Sequence, residues 1–491
     1  MKFIVDTNVL IKLEPTSPKH LEADSNKAFR LIREINGQNH NLYYHPSSLE
    51  ELKNDKDEER REFRKVLVEK YSPIQGAPTD ISLKYSSTIG TPTVGSHDWF
   101  DGVILCSIEK DFSDYLVTED FGARKKAVKL GLSDRVISID EALELLNSFK
   151  PKPIEFYPNV ETIIATGLNV DDPIFQSFRG DYPGFDKWLS KCKLEHRTVL
   201  LIKTNQNNYA AICILNEEKE DKHGLKGKVL KVCSFKVSDE LLGLKYGEFL
   251  LKILFDYAFK NHFQHAFVEA FEKHAILVKL LQEFGFYLLP GKTSKGEIVL
   301  AKDFQPTEKE RQNLSPLDFH IKYGPHNLIL DERVNHYVIP IQPQYHSALF
   351  PELESQTLML GEVRAYGNAI LKAYLCHSKV RTLAQGDILH FYRSIDSSEL
   401  TIVGVLEDVL VSTNPKEISR FVGRRTVYTM LEIEQMCETS VLTLLFRASL
   451  TYAPPIGLSQ LKSSQVIAGA PQQIVKMKPK GVTWILDRLK K

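Results

Sequence analysis

Over its first 150 residues the chain alternates short apolar runs with amphipathic helical stretches, and this alternation limits the fold more than any other feature. KFIV (2–5) is closed by Asp6, DYLVT (114–118) leads to Asp120, and VISI (136–139) completes the set of apolar runs. Between and after them, KAFRLIREI, EERREFRKVLVEK, DGVILCSIEKD, GARKKAVKLGL and DEALELLNSF carry helical periodicity. Strands separated by helices can pair side by side only through crossover connections. The pattern therefore predicts an α/β domain with a parallel sheet, ending near Phe149.

The remaining chain is long enough for two further domains, since 491 residues suggest roughly three. KPKPIEFYPN, with Pro151, Pro153 and Pro158, reads as a linker. TVLLIKT, YAAICILNEE and KVLKVCSFKVS follow as strands and GEFLLKILFDYAFKN as a helix. HAFVEAF, EKHAILVKLLQEFGF and IVLAKDF then give strand, helix and strand. The polar stretch 305–316 reads as a second linker. Beyond it HYVIPI, GDILHFYRS and LTIVGVLEDVLVS suggest a small β-rich barrel, with residues 452–480 loop-like. The expected domains are 1–150, 155–304 and 317–491.

Lys plus Arg and Asp plus Glu are each 63, so any nucleic-acid footprint must be local rather than global. Asp6 cuts the N-terminal apolar run short of a signal-peptide core, and no stretch approaches the roughly 18 apolar residues of a membrane span. The six cysteines are scattered with no CxxC pair, which argues against a disulfide framework or a zinc knuckle. A soluble protein of a reducing cytoplasm, with no membrane partner, is expected.

Asp6 and Asp120 end strands at the rim where open α/β sheets place ligands. Asp101 opens the helix DGVILCSIEKD with Asp98 three residues earlier on the same face, and Glu51 lies in the helical SSLEEL. Such carboxylates at one rim repel one another, and Mg²⁺ or Mn²⁺ is the natural neutraliser. Singly, each has a structural role open to it: a turn for Asp6, a helix cap for Asp98 or Asp101, a solvated face for Glu51. Together, FIVDTNVL, SLEEL, WFDGVILCSI and LVTED resemble the PIN-domain family of metal-dependent nucleases. The resemblance implies a metal set of Asp6, Glu51 (in preference to Glu50), Asp98, Asp101 and Asp120, of which Asp6, Glu51, Asp101 and Asp120 are catalytic. It implies hydrolysis of an RNA phosphodiester. Arg124, Lys125 and Lys126 follow as phosphate partners or as a solvated helix face.

The order of strands and helices over 155–304 resembles the GNAT acetyltransferase family. There a glycine-rich turn lets backbone N–H groups receive the pyrophosphate of acetyl-CoA. The matching stretch, 242–247, offers Gly243, Lys245 and Gly247 as cofactor contacts, but Leu242 and Lys245 depart from the family pattern. Leu281 stands where the family often has a tyrosine acid, and leucine cannot donate a proton. Glu269, Glu272 and His274 are candidate bases or ordinary surface residues.

NAILKAYLCHSKVRTLAQGDILHFYRS reads as helix, basic turn and strand and resembles the ASCH, EVE and PUA-like group, whose members commonly bind RNA or a modified base. His377, Lys379, Arg381, Arg393, Arg424 and Arg425 would meet phosphate, with Tyr374, Phe391 and Tyr392 as stacking surfaces or barrel core. The expected fold class is thus an α/β multidomain chain: a PIN-like parallel sheet, a GNAT-like α+β domain and a small PUA-like β-barrel. The leading expectation is a metal-dependent ribonuclease, of toxin or defence type, with RNA and an antitoxin-like protein as partners. The alternatives are an acetyltransferase acting on RNA or protein, with the outer domains as targeting modules, and a non-catalytic RNA-binding protein.

Overall fold

β1 (Lys2–Val5), β2 (Asn41–Tyr44), β3 (Ser72–Pro73), β4 (Tyr115–Val117) and β5 (Val136–Ile137) pair in parallel throughout, in the spatial order β3-β2-β1-β4-β5. The computed structural model describes the chain apart from residues 14–24, 39, 54–60, 62–67, 69, 149–158, 205–206, 219–222, 239–240, 242–244, 354–368, 426–427 and 490–491. It divides into two units, Met1–Lys150 and Pro151–Lys491. Most of the expected helix EERREFRKVLVEK and the expected linker at 150–159 lie outside the described residues.

In the first unit Phe3, Ile4 and Val5 are fully buried, as a central strand with helices on both faces requires. The strand order reverses between β1 and β4, so the crevice beyond their carboxyl ends is a topological switch point. Three helices bring side chains towards it: α1 (Pro46–Leu52), α2 (His97–Glu109) and α3 (Phe121–Lys129). Helix α2 begins at His97 rather than at Asp101, because the Ser96 side chain accepts the Trp99 N–H and caps it.

The second unit holds two sheets. The first comprises β6 (Asn159–Ile164), β7 (Thr198–Lys203), β8 (Tyr209–Glu218), β9 (Val229–Val237), β10 (His265–Ala270), β11 (Tyr287–Lys292) and β12 (Ile298–Asp303), in the order β11-β12-β10-β9-β8-β7-β6. Among the described residues only β9 and β10 of this sheet pair in parallel, with helix α4 (Tyr246–Lys260) between them in the chain, and α5 (Ala275–Glu283) follows β10. Opposite β8, the register of β9 skips Cys233, a bulge that bends the strand beside the parallel pair.

The stretch expected as a second linker is instead α6 (Glu308–Asn313) followed by α7 (Pro316–Tyr323). Thr307 and Glu310 form a reciprocal capping box, a T-x-x-E signal that outweighs the polar composition. The last sheet comprises β13 (His336–Ile341), β14 (Leu371–Cys376), β15 (Ile388–Arg393), β16 (Glu399–Ser412), β17 (Val441–Gly457) and β18 (Val475–Lys476), in the order β14-β17-β16-β15-β13-β18. Among the described residues nothing pairs β14 with β18, so the expected barrel is seen as a six-stranded sheet.

Two further expectations are corrected here. The start of NAILKAYLC is strand β14, not helix, and its Lys372 is buried with the ammonium donating to the Leu349 carbonyl at 2.6 Å. A lysine inside a doubly covered strand hides the strand's apolar character. The 452–480 stretch is not mainly loop, because β17 continues to Gly457 and a helix spans Leu458–Ser463. Pairing with β16 resumes at Ile456 after Thr451, which leaves Pro454 and Pro455 in the unpaired gap that strand prolines need.

The two sheets of this unit are tied by buried polar contacts. Lys302 of β12 donates to the Ile321 and Lys322 carbonyls at the end of α7, at 2.9 and 2.8 Å. Glu248, Lys252 and Asp256, one turn apart on α4, meet the Leu371 N–H, Glu352 and His326. Among the described residues no helix is long and apolar enough to cross a membrane.

Three buried imidazoles set a pH limit on this unit. Burial pushes His320 down to about 3 and His336 to about 4, and pushes His390, hydrogen-bonded to His336 at 2.9 Å, well below its ordinary value. Below pH 6.5 the unfolded chain takes up protons that the folded one refuses, so stability present above pH 6.5 falls as the pH drops towards 4. The expected loss at pH 5 is about 2 kcal/mol per fully buried ring, to be read from urea midpoints between pH 7.5 and 5. His336→Gln should flatten that dependence.

Candidate active site

Asp6 leaves β1 at the switch point and is buried. Its Oδ1 accepts the Thr7 N–H at 2.7 Å, and its Oδ2 accepts from Asn8 Nδ2 at 2.7 Å and Thr118 Oγ1 at 2.6 Å. Thr118 Oγ1 also accepts the Asp120 N–H at 3.0 Å, so one hydroxyl stitches the ends of β1 and β4 together. Asn8 and Thr118 are therefore positioning residues for Asp6. Among the described residues no cation pairs with Asp6. Burial, outweighing the Thr118 hydrogen bond, pushes its carboxyl up to about 7, with Asp101 and Glu51 adding repulsion.

The other carboxylates arrive from separate elements. Asp120 caps α3 by accepting the Ala123 N–H at 2.7 Å, and its free oxygen lies 3.9 Å from His97 Nε2. A Cβ on Gly122 would sit 2.9 Å from Asp120 Oδ1, so the missing side chain leaves that carboxylate room. Glu51 of α1 is bound to His97 Nδ1 at 2.6 Å. Asp101 of α2 is buried and meets Lys126 Nζ at 3.0 Å, while Lys126 also reaches Asp98 at 2.6 Å. Burial raises the Asp101 carboxyl despite the Lys126 contact, and the charge of Asp120 adds to the rise. Thr118 Oγ1 joins Asp6 to the Asp120 N–H, and His97 lies between Glu51 and Asp120, so three of the carboxylates are linked through shared neighbours, while Asp101 meets Lys126. Asp98 is 71 % exposed and faces away as Lys126's outer partner.

The all-carboxylate donor set suits a hard divalent cation in kind, and buried Asp6 lacks a countercharge. The expectation of an assembled five-carboxylate metal set is corrected in one respect. Among the described residues no three acidic, histidine or cysteine side chains are gathered closely enough to hold an ion. The reason lies in the chain's own cations, because Lys126 holds Asp101 and Asp98 while His97 holds Glu51. His97 is the site residue that the motif reading missed. Its signal was the spacing to Asp101, four positions later on the same helix face.

Of the proposed phosphate partners, Arg124 is committed to buried Glu141 at 2.6 Å, whereas Lys125 is exposed and lies 5.1 Å from the exposed Phe121 ring. In the second unit Gly243 is outside the described residues. Lys245 takes a left-handed φ of 60° at the cap of α4, and its ammonium folds onto buried Glu248 at 2.9 Å instead of pointing at an incoming anion. Gly247 serves packing, since a Cβ there would meet Leu280 at 3.0 Å. Leu281 is fully buried. Burial alone would raise the Glu269 carboxyl, but hydrogen bonds from Lys231 and His223 outweigh it and hold the group below its ordinary value. Glu272 faces Lys292 at 3.3 Å, and His274 Nε2 lies 3.5 Å from the Tyr182 hydroxyl.

In the last sheet His377, Lys379 and Arg381 are exposed after β14, with Arg381 Nη1 donating to the Ser378 and Val380 carbonyls at 2.9 Å. Arg393 pairs with Asp396 at 2.7 Å, and Arg425 pairs with Glu283 of α5, which makes it a tie between the unit's sheets. The side chain of Arg424 is outside the described residues. Tyr374, Phe391 and Tyr392 are buried core residues, not stacking surfaces.

No protein-family profile and no curated protein matches the sequence. Among solved structures, similarity is found to ASCH from Zymomonas mobilis, at 14 % identity over 31 % of this chain and 94 % of that one, TM-score 0.24. An IAA acetyltransferase from Bacillus cereus matches at 14 % identity over 30 % of this chain and 99 % of that one, TM-score 0.25. A GNAT-family acetyltransferase from Staphylococcus aureus matches at 12 % identity over 30 % of this chain and all of that one (100 %), TM-score 0.23. These neighbours carry ASCH and acetyltransferase folds, and they show no PIN domain. At such scores they carry no argument about activity.

Asp6→Asn removes the buried charge at the rim, whose main cost is its burial. A carboxyl raised from its ordinary value to about 7 destabilises the fold increasingly between pH 4 and 7, because the unfolded chain ionises first. In divalent-free buffer the variant should gain at least ~1 kcal/mol over wild type at pH 8 and nothing at pH 4, as measured by urea unfolding of the first unit.

Proposed function

We propose that the first unit is a divalent-cation-dependent phosphodiesterase acting on RNA, centred on the acidic crevice at the β1/β4 switch point. The observation that carries this reading is the linkage of Asp6, Asp120 and Glu51 through Thr118 and His97 at the switch point, with buried Asp6 paired to no cation among the described residues. As they stand the four carboxylates are not gathered closely enough to hold an ion; drawn together on binding, they would hold one that would supply charge stabilisation at the phosphate and lower the pKa of water. Asn8 and Thr118 keep the Asp6 carboxylate aimed, and the Asp120 cap fixes the start of α3. Lys125 supplies a local cation beside the crevice. His377, Lys379 and Arg381 are the exposed basic set that supports RNA binding by the second unit. An antitoxin-like protein partner, a defence role and a cytoplasmic setting belong to the same reading.

Asp6→Asn, Asp101→Asn and Asp120→Asn should each lower cleavage of total RNA in Mn²⁺ at least 100-fold with an unchanged circular dichroism spectrum. EDTA should silence the wild type. Full activity in all three variants would remove the site assignment.

A second reading, acyl transfer by the second unit, is favoured by one observation. Among the described residues the pair β9/β10 is the single parallel step in its sheet, its pairing ends at Val232 and Val268 just before the β9 bulge, and helix α4 lies between the two strands in the chain. An anionic acyl carrier would meet the α4 N-terminus there. Lys245 and Leu281 weigh against it. Calorimetry with acetyl-CoA should give weak or no binding, and tight binding with transfer to RNA or a peptide would put this reading first.

A further inference from the structure

Helix α3 packs inward through small residues and turns a bare strip outward. Ala123, Ala127 and, at the C-cap, Leu130 are buried, the last two within a core of the first unit. The opposite face carries Phe121, Lys125, Val128 and Lys129, at spacings i, i+4, i+7 and i+8, and all four are exposed. Phe121 is 55 % exposed and Val128 64 %, so neither serves a core. The Lys125 ammonium lies over the Phe121 ring, 5.1 Å from its centroid. The sequence of α3, FGARKKAVK, holds four cations and no acidic residue. Two of them are neutralised within the unit, Arg124 by Glu141 and Lys126 by Asp98 and Asp101. Among the described residues Lys125 and Lys129 pair with no carboxylate.

Resting on the reading of the first unit as acting on RNA, though not on its holding an ion, we propose that this outward face of α3 is a docking strip for an unpaired stretch of RNA. Phe121 stacks on a base, and Lys125 and Lys129 meet the phosphates that flank it. An aromatic ring and two unpaired cations on one helix face match the two parts of a nucleotide, its flat base and its anionic link. A base offers its face to a side chain only where it is unstacked, which a duplex prevents. In a chain whose cations and acids balance at 63 each, an acid-free helix face is the local footprint that nucleic acid requires. A protein partner fits less well. Lysine is depleted from protein interfaces, and here one lies against the very ring that would anchor such an interface. Phe121 directly follows Asp120, and Gly122 beside it is exposed and has no side chain, so the strip begins at the crevice carboxylate with an open approach.

The test titrates the full-length protein, in EDTA, with a short fluorescent RNA that has no self-complementarity, read by anisotropy. Phe121→Ala should weaken binding at least about fivefold, the lower end of what one base stacked on an aromatic ring contributes. Phe121→Trp should keep the affinity, while Phe121→Leu, apolar but not aromatic, should lose it. Lys125→Gln combined with Lys129→Gln should lower the slope of log affinity against log salt by about 1.4, since each phosphate contact on a single strand contributes about 0.7. Affinity for a fully paired duplex of the same sequence should ignore Phe121→Ala. Photocrosslinking of thiouridine-bearing RNA should place an adduct on the peptide that holds Phe121, a readout that RNA binding by the second unit does not move. An equal loss of duplex and single-strand binding in Phe121→Ala would overturn the inference. RNA binding unchanged in every α3 variant, or crosslinks confined to the second unit, would overturn it too, and would leave the cleavage reading to the Asp6, Asp101 and Asp120 variants. A wild type that neither binds nor cleaves RNA would remove both.

Discussion

A carboxylate held out of water at the point where a parallel sheet reverses direction governs the first unit. Asp6 cannot be left bare, and the chain surrounds it with an amide hydrogen, a carboxamide and a threonine hydroxyl drawn from both sides of the switch. Those hydrogen bonds fix where β4 ends relative to β1, and hence where Asp120 starts α3. The positions of Lys126 and, through α2, of Asp101 follow from that start. Hydrogen bonds satisfy the oxygens but not the charge, so the crevice stays electrostatically incomplete.

The second unit solves a different problem with the opposite sign. Its sheets are joined by buried cations, Lys302 and Arg447 among them, that end on carbonyls, carboxylates and aromatic faces. Burial pushes the Lys302 ammonium well below its ordinary value, and Lys372 down to about 7. Replacing one partner of such a contact leaves a buried polar group unsatisfied, a penalty of several kcal/mol. This is why the α4 stripe of Glu248, Lys252 and Asp256 acts as a tie between the sheets rather than as a solvated helix face.

Local signals made much of the chain legible. Apolar runs of four to thirteen residues marked β1, β4, β5, β7, β8, β9, β10, β12, β13, β15 and β16, and the acidic residue following β1 or β4 marked the rim. Short β2, β3 and β18 carry weak signals, because a strand of two to four residues borrows its stability from neighbours. β14 was obscured by Lys372, and β17 by its prolines. The stretch 305–316, expected as a linker, holds the short helix Glu308–Asn313 that its composition hid, since a capping box orders a polar helix without any buried apolar face.

The sequence by itself determined the alternation that forces a parallel sheet, the four carboxylates at its rim and the departures at Lys245 and Leu281. Each is a matter of residue type and spacing along a few turns. Tertiary structure alone decided which charges neutralise which. Arg124 goes to Glu141, Arg425 to Glu283 and Lys126 to Asp101, across separations of 17, 142 and 25 residues. Pairing over such distances depends on how elements pack, and long flexible cations take whichever carboxylate the packing presents.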